Sequence, residues 1–598
     1  MNSGRRVRYW GHRSSAVRAA AGCGVLLWVL GGLPAKLSAQ GDLAGRPAVM
    51  PTAREGGVGD AAAGPYTAGT FRSPVAHPIK TSGTFGELRQ DHFHMGLDVR
   101  SARGVAGDPL YAADSGYVSR IKISAAGYGN AVYVDHPHTG LRTLYAHLHT
   151  LAPGLRRYVD SVHYAREAFE IDVRPAPGEL AVGRGERLGT MGNTGSSFGA
   201  HLHFETRLMA DDAAFNPLLY DFPVRDTRAP EIGGLTVYRR VDAARLPVPL
   251  VRLTELRRDG DGTYHVPDTV RVPAGEIGLG LKAVDRQGGT RNRNGVYRIE
   301  SRCDGQLHWR TTYDTVAFED TRYIQAHYDY AARQGDEGYY YRLHRLPADA
   351  QPRLYDVYPD DGFVALGFGD SRTLEVTASD PLGNASTLRL IVVADHEAPA
   401  PPPPPHTHVL HPGVPMDIAV GDASLAVPGR AVYADAYLTL AADSGRVSGA
   451  YSTCYRLGDP REPLHAPAEL RVPLDAVPVR LRAKAYLSDC GDAREHVLHG
   501  ELTTGSRALR VAVDEWGDYA LRVDTVPPRI VPLDRYTYRI SDDVTATRAL
   551  RYRVTQDGRW VLAELDAKND RLVVRRDLVG AGRLRVEVWD AAGNVARR

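Results

Sequence analysis

At 598 residues the chain is too long for one hydrophobic core, and three or four domains are expected. Its 73 Lys and Arg nearly balance 71 Asp and Glu, leaving a formal charge of +2. That balance gives no basis for nucleic-acid binding or for a strongly electrostatic membrane partner.

The N-terminal segment is basic and then apolar. Arg5, Arg6, Arg8, Arg13 and Arg18 precede an apolar run from Ala19 to Leu33, and Ser38-Ala39 supply small residues for cleavage before Gln40. This reads as a secretory signal over 1–39 with a linker over 40–70, and it implies export to the periplasm, cell envelope or medium. The run is short for a membrane span, and Gly31-Gly32 and Pro34 interrupt its end, so no stable span is expected after cleavage. Cys23 follows Ala-Ala-Gly as in a lipidation site, but most of the apolar run comes after it, which argues against that reading. Three cysteines then remain in an oxidising compartment. Cys454 and Cys490 are candidates to pair, Cys303 is left over, and neither arrangement resembles a metal site.

Histidines concentrate next. Ten of the 22 lie between His77 and His203, where an even spread would put about half as many. They include His94-Met-Gly-Leu-Asp98, Tyr145-Ala-His147-Leu148 and His201-Leu-His203. On a strand, residues i and i+2 share a face, so His201 and His203 project into one site while Leu202 packs behind them. His94 and Asp98 would lie roughly 13 Å apart on an extended strand, at about 3.3 Å per residue, too far to share one ion. The backbone is therefore expected to bend between them, at Gly96. Together the motifs offer three ligands for zinc and two spare imidazoles. Three ligands with an open fourth position are what a catalytic zinc needs to acidify a water. Unlike a helical H-E-x-x-H, the pattern puts no glutamate before a zinc histidine to serve as base. Glu205, two residues beyond His203, shares its face and is left open between a supporting and a structural role.

The region from about Phe71 to Phe222 resembles the lysostaphin or LytM type of zinc metallopeptidase, metallopeptidase family 23, whose fold is the duplicated hybrid motif. The matching stretches are Phe85-Gly-Glu-Leu-Arg89, His94 to Asp98, Pro109-Leu-Tyr-Ala-Ala-Asp-Ser-Gly116, Gly127-Tyr-Gly-Asn130, Tyr145 to Leu148 and Gly192-Asn-Thr-Gly-Ser-Ser-Phe-Gly-Ala-His-Leu-His-Phe-Glu205. The resemblance implies that His94, Asp98 and His203 bind Zn2+ and that His147 and His201 line the site as catalytic imidazoles. It further implies hydrolysis of peptide bonds in peptidoglycan cross-links or stem peptides. The alternative is a non-catalytic envelope protein whose LytM-like domain binds wall or an amidase partner. The intact set of five residues favours the enzyme.

Between the third histidine and the last motif, Ala152 to Val182 forms an insertion. Tyr158 to Phe169 suits a helix, and Val173-Arg-Pro-Ala-Pro-Gly178 cannot continue one. This segment is expected to wall the substrate cleft.

Beyond the zinc metallopeptidase domain, assigned to 71–222, alternating runs such as Leu374–Ala378, Leu509–Val513 and Leu584–Val588 read as half-buried strands. Each leads into an Asp-rich turn, Asp380 to Asn384, Asp514 to Asp518 and Asp590 to Asn594, with Asp285 to Gly289 as a looser copy; all read as hairpins. Asp-x-x-x-Pro recurs at Asp226, Asp395 and Asp524 and marks module starts. The expected architecture is all-β: an antiparallel peptidase domain followed by two or three immunoglobulin-like β-sandwich modules. Sandwich modules are assigned to 223–397, 409–523 and 524–598, with a stiff proline-rich linker over 398–408. The Asp-rich turns offer oxygen ligands of the kind calcium takes, but each has few carboxylates, and plain turns are the simpler reading. Tyr323, Tyr328, Tyr330, Tyr339, Tyr340 and Tyr341 suit either stacking on sugars or strand packing.

Overall fold

Period-two alternation dominates the chain, and the structure is accordingly 44% strand and 9% helix, the all-β class expected. This computed structural model describes residues 66–598, except 68 and 352. The signal over 1–39, its arginines and Cys23, and most of the 40–70 linker lie outside the described residues.

The first strands are β1 (Thr81–Gly83), β2 (Leu97–Arg100), β3 (Pro109–Tyr111), β4 (Gly116–Ile123), β5 (Ala131–His136), β6 (Leu141–Ala146) and β7 (Leu148–Leu151). Helix α1 (Pro153–Arg166) follows, and then β8 (Ile171–Val173), β9 (Ala181–Val182), β10 (Arg187–Met191), β11 (His201–Leu208) and β12 (Ala214–Phe215). An antiparallel sheet runs β1-β2-β11-β6-β5-β4-β8, and a smaller one runs β3-β10-β7. The large sheet is covered on both faces. All six residues of β5 are buried: Val132 and Val134 join the main core with Leu97, Val118 and Leu202, while Ala131 and Tyr133 meet Leu144 and Ala146 on the other face. The same alternation sends Leu202 and Phe204 of β11 into the main core, so His201, His203 and Glu205 point to the second face.

Helix α1 begins at Pro153, five residues before the expected start. Proline suits the first helical turn because that turn needs no N–H partner. Leu155, Val159 and His163 are buried on its inner face, and Glu167 ends it with φ 45°.

Three further pairs of sheets and one two-stranded sheet follow among the described residues. The first pair encloses a core around Trp309 that also takes in Phe85, Leu88, Phe93 and Met95 from the peptidase region, and Thr315–Val316 pairs directly with β12. Tyr328, Tyr330, Tyr340 and Tyr341 are buried in this part of the fold, which favours packing over sugar stacking. In the second pair, Cys454 and Cys490 form a disulfide; Cys303, at the end of a strand of the first pair, is free. The Asp380 and Asp590 turns close hairpins. The Asp514 turn does not: it carries the chain from one sheet to the other, because Trp516 within it is drawn into the core between them. The looser Asp285 turn closes only a single bridge to Asn294.

Candidate metal centre and active site

Register places the site. Across β11, His203 faces Asp98 on β2 and Ala146 on β6, so the neighbouring sequence positions of three motifs fall in one row. His147 leaves the end of β6 with φ 61°, a left-handed backbone that costs a non-glycine residue about 1–3 kcal/mol. Gly192 closes over it: a Cβ there would lie 2.4 Å from His149 N and 2.6 Å from His147 O. Gly96 acts differently from the expected bend. Its φ is not positive, and an added Cβ would meet Phe204 O at 2.5 Å, so glycine here lets the His94 segment lie against β11.

Four imidazoles have one nitrogen fixed by an acceptor, which settles which atom faces the site. The Nδ1 atoms of His94, His147 and His201 lie 2.8, 2.8 and 2.9 Å from the carbonyls of Thr84, Thr194 and Gly199. His203 Nε2 lies 2.7 Å from Glu205 Oε1. The remaining lone pairs converge. His94 Nε2, His203 Nδ1 and Asp98 Oδ1 stand 2.9–3.0 Å from one another. Bonds of 2.0–2.1 Å to a tetrahedral zinc give ligand separations of about 3.3 Å, close to this triangle. Such closely spaced lone pairs repel unless a proton or cation lies among them, and the N, N, O donor set fits zinc. His201 Nε2 lies 3.5 Å from Asp98 Oδ1, and the His147 and His201 ring centres are 4.8 Å apart. All five residues expected at the site are thus brought together.

The electrostatics reinforce this arrangement. Burial opposes ionisation of Asp98, but His94, His201 and His203 outweigh it and hold the carboxyl well below its ordinary value. Burial, with help from His201 and His203, pushes His147 down to about 3, keeping it neutral. Behind His203, Glu205 is fully buried and accepts hydrogen bonds from Tyr128 Oη and Arg207 Nε, each at 2.5 Å. Burial opposes this charge too, yet Arg207 and His203 bring Glu205 down to about 2. Glu205 is thus hydrogen-bonded to His203 on one side and Arg207 on the other. Arg207 and the role of Tyr128 were missed. The spacing of His203, Glu205 and Arg207 at every second residue is the signal that finds Arg207. The loop before His201 holds out Phe198, 94% exposed, and its Asn193 and Ser197 carbonyls accept hydrogen bonds from Lys568 of the last module.

Fold and site together define a β-sheet domain with a His-Asp-His donor set and two free imidazoles. Residues 92–162 match the family model of Peptidase family M23, and residues 408–524 match that of the Zu5-like domain. Over 168 residues it is 30% identical to the DD-carboxypeptidase/endopeptidase Mpg of Neisseria meningitidis serogroup B and to its namesake in Neisseria gonorrhoeae. These matches cover 28% of this chain and 30% of each relative's length. Among solved structures it is similar to the catalytic domain of the antimicrobial peptidase lysostaphin from Staphylococcus simulans, with 22% identity, 23% of this chain and 90% of that one covered, and a TM-score of 0.17. It is also similar to Helicobacter pylori Csd3, with 24% identity, 25% and 33% covered, and a TM-score of 0.16.

Proposed function

We propose that this chain is an exported zinc endopeptidase that cuts peptide bonds of peptidoglycan, with His94, Asp98 and His203 holding the metal. The observation that carries the reading is the convergence of two imidazole nitrogens and a carboxylate oxygen beside two further imidazoles. When bound, zinc would supply a Lewis acid for the scissile carbonyl and a water acidic enough to ionise near neutral pH. His147, neutral and fixed by the Thr194 carbonyl, offers Nε2 as a proton acceptor. His201, fixed by the Gly199 carbonyl, presents its own Nε2 from the more open side of the site. Between them they take the proton from the nucleophile and return it to the departing amine. Peptidase activity is supported by the name of the similar DD-carboxypeptidase/endopeptidase, the wall substrate by the resemblance of the motifs to lysostaphin-type enzymes, and export by the basic-then-apolar N-terminus. The five intact positions speak against a purely binding role.

Digestion of purified peptidoglycan by the zinc-loaded protein, with mass spectrometry of the released peptides, tests the reading. New amine and carboxyl ends within stem peptides or cross-links are expected. Glycan cleavage alone, or no release while zinc is bound, would overturn it.

A further inference from the structure

Two groups of aspartates outside the histidine site repeat one construction. Asp226, Asp285 and Asp380 each bring a carboxylate oxygen within 4.8 Å of the other two, and so do Asp524, Asp542 and Asp590. Each group opens on Asp-x-x-x-Pro, at Asp226 and Asp524, and ends on Asp-x-x-Gly-Asn, at Asp380 and Asp590. In each, the final asparagine ties the group together. Asn384 Nδ2 donates to Asp380 Oδ2 at 2.7 Å and to the Asp226 carbonyl at 3.4 Å; Asn594 Nδ2 donates to Asp590 Oδ2 at 2.8 Å and to the Asp524 carbonyl at 3.2 Å. A single turn has too few carboxylates for an ion. The fold supplies the third from a distant strand end, Asp285 after 275–284 and Asp542 after 537–541.

The two groups also share an unmet need. Asp285 and Asp524 are each only 4% exposed, yet Asp285 Oδ1 and Asp524 Oδ2 have no hydrogen-bond partner. A buried carboxylate oxygen without a partner is strongly unfavourable unless a cation meets it. The neighbouring cations lie beside the groups and offset part of their charge, but their hydrogen bonds and ion pairs go to other oxygens, Arg228 to Glu231 and Lys484 to the Asn594 side-chain oxygen. Burial and the charges of Asp380 and Asp226 push Asp285 up to about 7, the signature of carboxylates crowded without a counter-ion. The third Asp-x-x-x-Pro serves as an internal contrast. Asp395 pairs with Arg271 and His396 and joins no such group.

We propose that each of the two aspartate groups binds one calcium ion at the start of a module. An all-oxygen set of carboxylates in irregular positions suits calcium, which tolerates flexible geometry, better than magnesium, which demands an octahedron, or zinc, which favours nitrogen and sulfur. The first site braces the peptidase sheet. Gln287 Oε1 accepts hydrogen bonds from Thr81 N and Oγ1, and Asn294 Nδ2 donates to Thr81 Oγ1, on the strand β1 that pairs Gly83 with Asp98. The second site fixes the start of the last module.

Calorimetric titration of calcium into the full chain, with its zinc site saturated, tests this. Two ions per chain are expected, with affinities no weaker than the 10⁻⁴–10⁻³ M of extracellular calcium modules. Asp285→Asn and Asp590→Asn should each lose one ion, and the double variant both. Calcium should raise the melting temperature of the native chain and leave that of the double variant unmoved. Without calcium the double variant should melt no lower than the native chain, because it has lost like-charge repulsion; aspartates serving only as turn formers would make it melt lower. Should a buried variant fail to fold, the half-buried Asp542→Asn reads the loss of the second ion. No binding by the native chain at on the order of 10 mM calcium, well above that range, or two ions retained by the double variant, would overturn the proposal.

Discussion

At the residue scale, one strand face carries both the proposed chemistry and its support. His203, Glu205 and Arg207 follow one another at every second position, and Tyr128 closes the row. His203→Ala should remove a donor and weaken zinc binding at least tenfold in a chelator-competition titration, an order of magnitude set by what even supporting residues contribute. Glu205→Gln should weaken zinc by about 10–100-fold and, by leaving the Arg207 charge buried without its partner, lower stability by about 3–5 kcal/mol. Adding Arg207→Met to that variant should restore most of the stability, read by denaturant unfolding, and none of the zinc affinity. Recovery of both together would mean that Glu205 only balances a charge.

At the scale of elements, the His94 segment is held from outside the peptidase region. Phe93 and Met95, on either side of His94, are buried in the core around Trp309, and Phe93 N donates to Thr321 Oγ1 at 2.9 Å. Phe93→Ala should therefore cost about 3–5 kcal/mol and also loosen zinc binding. Leu425→Ala, in the core of the 408–524 region, should destabilise without touching zinc affinity. Equal effects of the two on metal binding would remove the special role of Phe93. This coupling explains what the sequence could and could not disclose. That the five candidate residues would meet was expected from their family resemblance, and the period of a strand, a local property, put His201 and His203 on one face. The strands at Leu374, Leu509 and Leu584 were legible for the same reason. Sharing of Phe85, Leu88, Phe93 and Met95 with a later module was not, since the partners lie some two hundred residues away. The Asp514 turn was misread as a hairpin because its Asp-Gly chemistry is local, whereas the burial of Trp516 is decided by which sheets enclose it.

At the scale of the whole molecule, the last module returns to the domain that carries the histidine site. The outer face of α1, part of the insertion expected to wall the cleft, carries that module: Arg156 and Glu564 pair, Arg575 reaches Asp160, Arg553 reaches Glu167, and Tyr164 stacks edge-on against Trp560. Tyr164→Ala combined with Arg575→Ala should release the module, seen as faster amide exchange in α1 with zinc content unchanged. Unaltered exchange would show that docking rests on other contacts. The central claim is that three residues hold the metal while two others move protons. Zinc content and turnover of a defined wall peptide, measured on the same samples of the native chain, His203→Ala and His147→Ala, test it most directly. The account predicts that His203→Ala loses both, whereas His147→Ala keeps zinc and loses roughly 10²–10⁴-fold in turnover. Near-native turnover by His147→Ala, or full zinc content in His203→Ala, would contradict it.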